Sequence, residues 1–505
     1  MTYDLIIHGG TVVTAVDAMQ CDVGIRNGCI AALGADLGAA DARIDATGKL
    51  VLPGGVEGHC HVEQRSAFGM INADDFYSAT ASAVFGGTTT ILPFAAQQRG
   101  ESLRQVVSDY HELARTKAVI DYGFHLIVSD PSKEALTTDL PALISEGITS
   151  FKVFMTYERL QLQDRQLMDV LQTARRNGAM VMIHAENNDM IRWLSEQLLS
   201  GGHWQPQYHA VSHPRIAEAE ATFRAIALAE LMDVPVMIVH VSSQQAMDEI
   251  RKAQTAGLKI YAETCPQYLF LTSDDLNREG MDGAKFCCSP PPRDKETQEQ
   301  IWRGLRNGTF QVFSSDHAPF RFDSTGKLRD GPTPAFDQIA NGLPGIELRL
   351  PLLFSEGVGK GRIDIHQFVA LTSTNPAKLY GLHPRKGTIA VGADADIAIW
   401  DPTEVRIVTA EMLHDNAGYT PYEGMTLTGW PVQVLSRGRL AVDGGVLRVG
   451  RGTGRFVPRS RPQAARPLGR FVPEMDPARN YDARLLAEPL VPEASVPARS
   501  STLDQ

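Results

Sequence analysis

The sequence predicts an α/β protein: a (β/α)8 TIM barrel carrying a small β-sandwich domain built from both chain ends. Three observations lead there. At 505 residues the chain exceeds an average single domain but suits a barrel with a smaller attachment. Through its middle, strand-sized apolar runs alternate with longer stretches of helical spacing. At both ends, short apolar runs are punctuated by Gly and Asn instead.

In chain order, DLIIHGGTVVT, CDVGIRNGCIAALG and ARIDATGKLV read as strands, too few to close a sheet alone. The same texture returns in KGTIAVGADADIAIWDP and VQVLSRGRLAVDGGVLRVG. One sandwich of residues 1–53 plus 385–450 lets each end cover the edges left by the other. Residues 54–384 are then the barrel. Its first strand is the run ending at Leu52; the others are Thr88–Phe94, Val119–Val128, Thr149–Met155, Ala179–His184, Val234–Val241, Leu258–Glu263 and Gln311–Ser315. Helical stretches such as EALTTDLPALISEG and AEATFRAIALAELMD separate them. Eight such units put the chemistry at the C-terminal ends of the strands. Residues 451–505 are rich in Pro and Arg and lack core periodicity, which leaves a disordered tail or an arm over a neighbouring subunit.

Composition narrows the function classes. Apolar content of 43% and charged content of 21% are those of an ordinary globular enzyme. A formal net charge of −11 gives no basic footprint for nucleic acid. No run of ~18 apolar residues supports a membrane span, and MTYDLIIHGG is not a secretory signal. Six cysteines without CxxC spacing read as reduced thiols of a cytoplasmic protein.

The candidate chemistry begins at LPGGVEGHCHV. His59 and His61 stand two apart, so in extended backbone both imidazoles point one way, just past a strand end. That is metal-ligand geometry, and Cys60 between them points to the core. Lys152 lies inside the apolar run ITSFKVFMTY, where desolvation disfavours its ammonium form. A paired buried lysine, a Schiff base and a carbamate all fit that position. His184 in VMIHAEN, His240 in VMIVHVSS and Asp316 in VFSSDHAPF each stand at the C-terminal tip of an apolar run. Each alone is unremarkable as a core or surface residue. Together at strand ends they form a constellation.

GGVEGHCH, FKVFMTY, HAEN, HVSS and SSDHAPF, in this order and spacing, resemble the amidohydrolase superfamily, in particular its cyclic-amidase branch of dihydropyrimidinases and hydantoinases. ETCPQYLFLT, KFCCSPPPRD, ANGLPGIELR and TSTNPAKLYGLHPRKGTIAVGADADIAIWD extend the resemblance over roughly residues 1–450. It implies two divalent metal ions, usually Zn2+: one held by His59, His61 and Asp316, the other by His184 and His240. Lys152, carboxylated by CO2, bridges them. A hydroxide shared by the metals attacks the amide, and Asp316 carries its proton to the leaving ring nitrogen. Tyr157 then donates to the developing oxyanion, while Ser289 and Asn341 hold the ring's amide groups.

The expected activity is metal-dependent hydrolysis of a ring C–N bond in a dihydropyrimidine, hydantoin or related cyclic imide. The alternatives are an allantoinase or cyclic imidase on the same metal site, a hydrolase of linear amides, and a non-catalytic scaffold relative. The resemblance also implies a homo-oligomer, tetramer before dimer. Some positions depart from it. Glu63 replaces the arginine that dihydroorotases carry, so an acidic ring is expected to be repelled. Glu57 stands for the more common Asp and Cys60 for Thr. Phe68 and Met70, in an unusual loop after the first strand, either line an apolar pocket for a ring substituent or simply pack; FAAQQRG after the second strand is also atypical. His203, His209, His213, His366, His383 and His414 are read as structural.

Overall fold

A computed structural model describes residues 2–65, 69–486 and 488–490. Eight parallel strand positions run round a barrel in chain order: Gly55–Cys60, Thr88–Ala96, a third made of Asp121–Tyr122 and His125–Ile127, Ser150–Phe154, Met180–His184, Val236–Ile238, Ile260–Thr264 and Val312–Phe313. A parallel bridge between Cys60 and His317 joins the first position to the segment after the last. Gly123 interrupts the third strand, and a Cβ there would come within 2.8 Å of Leu92.

Strand alternation sorts the side chains. Phe151 and Val153 face the outer helices, while Phe154, Met180, Met182 and Met237 pack inside with Phe94 and Leu92. Lys152 shares the inner face with Phe154, and its amine lies 4.5 Å from the Phe94 ring centre. The helix Leu103–Arg115 is amphipathic, burying Leu103, Val106, Val107, Tyr110 and Ala114, one stripe at helical spacing.

The first barrel strand is not the run ending at Leu52. Leu50–Pro53 belongs to the small domain, where it pairs antiparallel with Ile397–Trp400 and parallel with Thr11–Val12. The chain crosses into the barrel at Gly54, where a Cβ would sit 2.2 Å from the Thr89 hydroxyl. Only glycine admits that close approach. His59 therefore lies within the first strand, and only His61 is beyond its end.

The small domain is two sheets drawn from both chain ends. Four strands, ordered Cys29–Gly34, Asp22–Arg26, Tyr3–His8 and Ala40–Asp45, form one. The other runs Val446–Leu447, Arg439–Asp443, Thr426–Ser436, Ile397–Ile407, Leu50–Pro53, Thr11–Val13 and Ala18–Gln20. Ile7, Val23 and Ile25 from one end pack with Ile397, Ile399 and Leu435 from the other.

A buried cation fastens this domain to the barrel. Lys386 Nζ reaches Asp121 at 2.7 Å in the third barrel strand and Asp394 and Asp396 at 3.1 and 2.6 Å. The three carboxylates converge as a metal site would, but the ammonium occupies their centre. Burial opposes the charge on Lys386, yet the aspartates outweigh it and hold its pKa above the ordinary lysine value. Its contribution is therefore full below about pH 10 and lost as pH rises beyond that. Lys386→Met should cost ~3–5 kcal/mol in urea unfolding, chiefly by leaving Asp396 buried without its cation, while Asp121 and Asp394 keep Arg437 and Arg385. Burial already raises Asp396, and losing its cation should raise it further, so the deficit should shrink as the pH is lowered.

The first part of the tail, to about residue 470, packs on its own barrel. Val457 N bonds Tyr122 O at 2.7 Å, and Val457 and Ala465 enter the inner cluster. Arg459 is buried, with Nη1 2.7 Å from Ser150 Oγ and Nη2 on the Phe124 carbonyl. The segment closes the N-terminal mouth of the barrel. It has no sequence period because it pairs with loops and strand ends rather than forming an element. Among the described residues no helix is long and apolar enough to cross a membrane.

Candidate metal centre

At the opposite, C-terminal mouth the strands deliver His59, His61, Lys152, His184, His240 and Asp316 to one buried pocket. Lys152 Nζ is 2.7 Å from His59 Nε2. Asp316 Oδ1 lies 3.1 Å from His59 Nε2 and 3.5 Å from His61 Nε2. The His59 and His240 rings are 5.3 Å apart and those of His184 and His240 4.4 Å, so the two imidazole pairs are contiguous. His240, Asp316 and Tyr157 each have positive φ, at 39°, 48° and 65°. Such backbone costs of order 1–3 kcal/mol per residue, and here it turns each side chain from the strand path into the mouth.

Carboxylates behind the pocket orient it. Glu263 Oε1 contacts His59 Nδ1 and accepts the His240 amide at 3.2 Å. Glu57, ion-paired with Arg349 at 3.1 Å, accepts the amides of His59 and Ser315 at 2.8 and 3.1 Å. Glu186 Oε2 contacts His184 Nε2 at 2.8 Å and accepts from Ser289 Oγ at 2.7 Å.

Electrostatics follow from burial. It draws His61 down to about 4 and His240 well below the ordinary histidine value, the neutral form a metal requires. His59 differs: burial opposes its protonation, but Glu263 and Asp316 outweigh burial and raise it. Desolvation also opposes ionisation of Asp316, yet His59 and His61 hold its carboxyl well below the usual range. Burial brings Lys152 down to about 8.

This donor set fits a metal centre. His59, His61 and Asp316 each bring a ligand atom within 4.8 Å of the others. His240 Nδ1, Glu186 Oε1, Glu263 Oε2 and Asn341 Oδ1 are buried without a hydrogen-bond partner, as in a cavity completed by a ligand. Tyr157 stands at the rim, its ring 5.4 Å from that of His184; burial raises its phenol, while nearby Ser289 and Asn341 act to lower it.

The loop residues behave differently. Phe68 lies outside the described residues. Met70 is buried against Phe320 and Ala340, next to Asn341. Glu63 is ion-paired with Lys117 and accepts the Phe76 amide, so its charge is compensated and the repulsion expected of it loses its basis. His209 and His213 are buried supports, His209 Nε2 bonding the Cys288 carbonyl at 2.8 Å.

Several positioning groups escaped the sequence. Glu263, next to last in the seventh strand, passes the same strand-end test as the histidines, which was its available signal. Lys327 had none. It is fully buried and donates to the carbonyls of Cys287 at 3.0 Å and Ala340 at 2.8 Å, tying together the two segments that carry Ser289 and Asn341.

A closed parallel barrel with imidazoles, a lysine amine and a carboxylate gathered at its strand ends defines a metallo-barrel protein. The chain belongs to the amidohydrolase family, whose model matches residues 50–441. It is 46% identical to a D-hydantoinase of Geobacillus stearothermophilus, over 90% of this chain and 96% of that one. A D-hydantoinase of Rhizobium radiobacter is 45% identical, over 88% and 96%. The crystal structure of dihydropyrimidinase from Brevibacillus agri superposes with a TM-score of 0.88 at 46% identity, covering 90% of this chain and 99% of that one.

Proposed function

We propose that this amidohydrolase opens the ring of a hydantoin or dihydropyrimidine by hydrolysing a ring C–N bond. The observation that carries the reading is the convergence of His59, His61, Lys152, His184, His240 and Asp316 beside Tyr157, Ser289 and Asn341. The imidazole-rich donor set favours zinc, and two such cations would supply an acidified water and polarise the amide carbonyl. His59, His61 and Asp316 would hold one ion, and His184 and His240 the other.

Lys152 links the two groups of ligands. Its depressed pKa leaves part of the amine neutral near pH 7, and the nitrogen lone pair can add to CO2. A C–N bond forms, the amine gives up two protons (one as the ammonium becomes neutral, one as the nitrogen bonds CO2), and a cation becomes an anionic carbamate. Asp316 stays ionised in the pocket, so its carboxylate can take the proton of the attacking water. It then returns that proton to the departing ring nitrogen. Burial raises the Tyr157 phenol, which keeps it neutral and able to donate to the oxygen that gains charge. Ser289 and Asn341 would meet the ring's N–H and C=O groups, with Glu186 fixing Ser289 and His184 together.

The relatives named as D-hydantoinases support the D series of hydantoins. That none of the six cysteines forms a disulfide fits a reducing compartment, the cytoplasm. Exposed Trp193, Trp204, Val211, Ile216 and Phe223 support assembly into a homo-oligomer, a tetramer by preference.

The test is a rate panel on metal-replete protein with hydantoin, dihydrouracil, succinimide and allantoin. Turnover of hydantoin or dihydrouracil is expected, and activity confined to allantoin would overturn the reading. Tyr157→Phe should lower kcat about 10²–10³-fold with little change in KM, because the phenol acts chiefly when charge develops on oxygen.

A further inference from the structure

At the end of the barrel opposite the metal centre, a hollow of about 740 Å³ opens between the starts of the seventh and eighth strands, the helix Asn375–Leu379 and the tail turn at Gln463–Ala465. That volume is in the range of small-molecule sites. Its charged lining has one sign: Lys259, Lys378, Arg461 and Arg466, with His383 beside them and no carboxylate.

These cations are uncompensated. Among the described residues, none of the four has a carboxylate oxygen within 4.0 Å. Asp233, the carboxylate acting on Lys259, is already engaged by Arg175 at 3.4 Å and by the amides of Leu468 and Gly469 at 3.0 and 2.9 Å. In a chain of net charge −11, four unpaired cations round one hollow repel one another until an anion enters. Lys259 and His383 both have lowered pKa values, by burial and then by the neighbouring Arg466 and Lys378 respectively.

The walls are built rather than incidental. Lys259 Nζ bonds the Arg466 carbonyl at 3.0 Å, and Ser460 Oγ bonds the Gly381 carbonyl at 3.0 Å. Arg461 lies over Gly178, its Cδ 3.4 Å from where a Cβ would stand, and its buried Nε has no partner. Tyr261, Leu379 and Pro462 add a less polar side.

We propose that this hollow binds a small phosphorylated molecule, its phosphates held by Lys378, Arg461 and Arg466 and its organic part against Tyr261, Leu379 and Pro462. Several cations call for a multiply charged ligand, and the guanidinium fork matches phosphate oxygens. Because the site is walled by both barrel and tail, occupancy should also clamp the tail and raise Tm.

The test is calorimetric titration of the full chain with pyrophosphate and with ADP, in chloride buffer of fixed ionic strength, beside the Lys378→Glu/Arg466→Glu variant. Both side chains are exposed and unpaired, so circular dichroism should show an unchanged fold. Binding to the wild-type chain that weakens about tenfold or more in the variant is the expected result. Absence of heat from both probes at millimolar concentration would overturn the proposal, as would equal binding by wild type and variant. Equally damaging would be a variant that only changes oligomeric state in sedimentation, since the hollow would then serve contact with a second copy.

Discussion

Lys152→Ala should lose turnover by at least ~10³-fold and bound metal with it. The reason is positional. The amine sits fully buried, 2.7 Å from His59 Nε2 and on the barrel's inner face, where no neighbouring side chain can replace an anion grown from its tip. Alanine removes the only group there that CO2 can convert from cation to carboxylate. Metal content by elemental analysis should fall below two equivalents per chain. In the wild-type protein, stripped of metal and reloaded, added bicarbonate should speed recovery of activity, and in Lys152→Ala it should have no effect. Near-normal activity in the variant would remove the basis of the proposed chemistry.

Asp316→Asn is the second large effect, a fall in kcat of about 10²–10⁴-fold. The amide keeps the size of the side chain but cannot accept a proton at neutral pH. It also withdraws the charge that, together with Glu263, raises His59, so the His59 pKa should drop. NMR titration of the His59 ring in metal-free protein reads that drop independently of turnover. A variant with unchanged kcat would assign proton transfer to another group. Loss of metal without a shift at His59 would contradict the contact between Asp316 and that imidazole.

The site was legible in the sequence to an uneven degree. His59 and His61 could be paired from spacing alone, since alternate residues of a strand share a face. His184, His240 and Asp316 could be placed because each closes an apolar run, and strand ends in a parallel barrel face one mouth. Glu63 illustrates the limit: its proximity in sequence to His61 suggested a charge facing the substrate, but a left-handed backbone turns it to Lys117. The strand ending at Leu52 failed for a related reason. Leu50–Pro53 and Gly55–Cys60 are nearly continuous along the chain, and the close approach of Thr89 to Gly54 marks where sandwich gives way to barrel.

What the sequence determined by itself was the kind of machine: which side chains are offered, in what order, and on which face of each strand. These depend on local period and on composition, both readable along the chain. Tertiary structure decided which groups complete them. Glu263 behind His59, Lys327 between the Ser289 and Asn341 segments, and Arg459 against Ser150 and Phe124 all join residues far apart in the chain. Such contacts carry no periodic signature, because the partner of a buried polar group is set by whatever the closed barrel brings within hydrogen-bond reach.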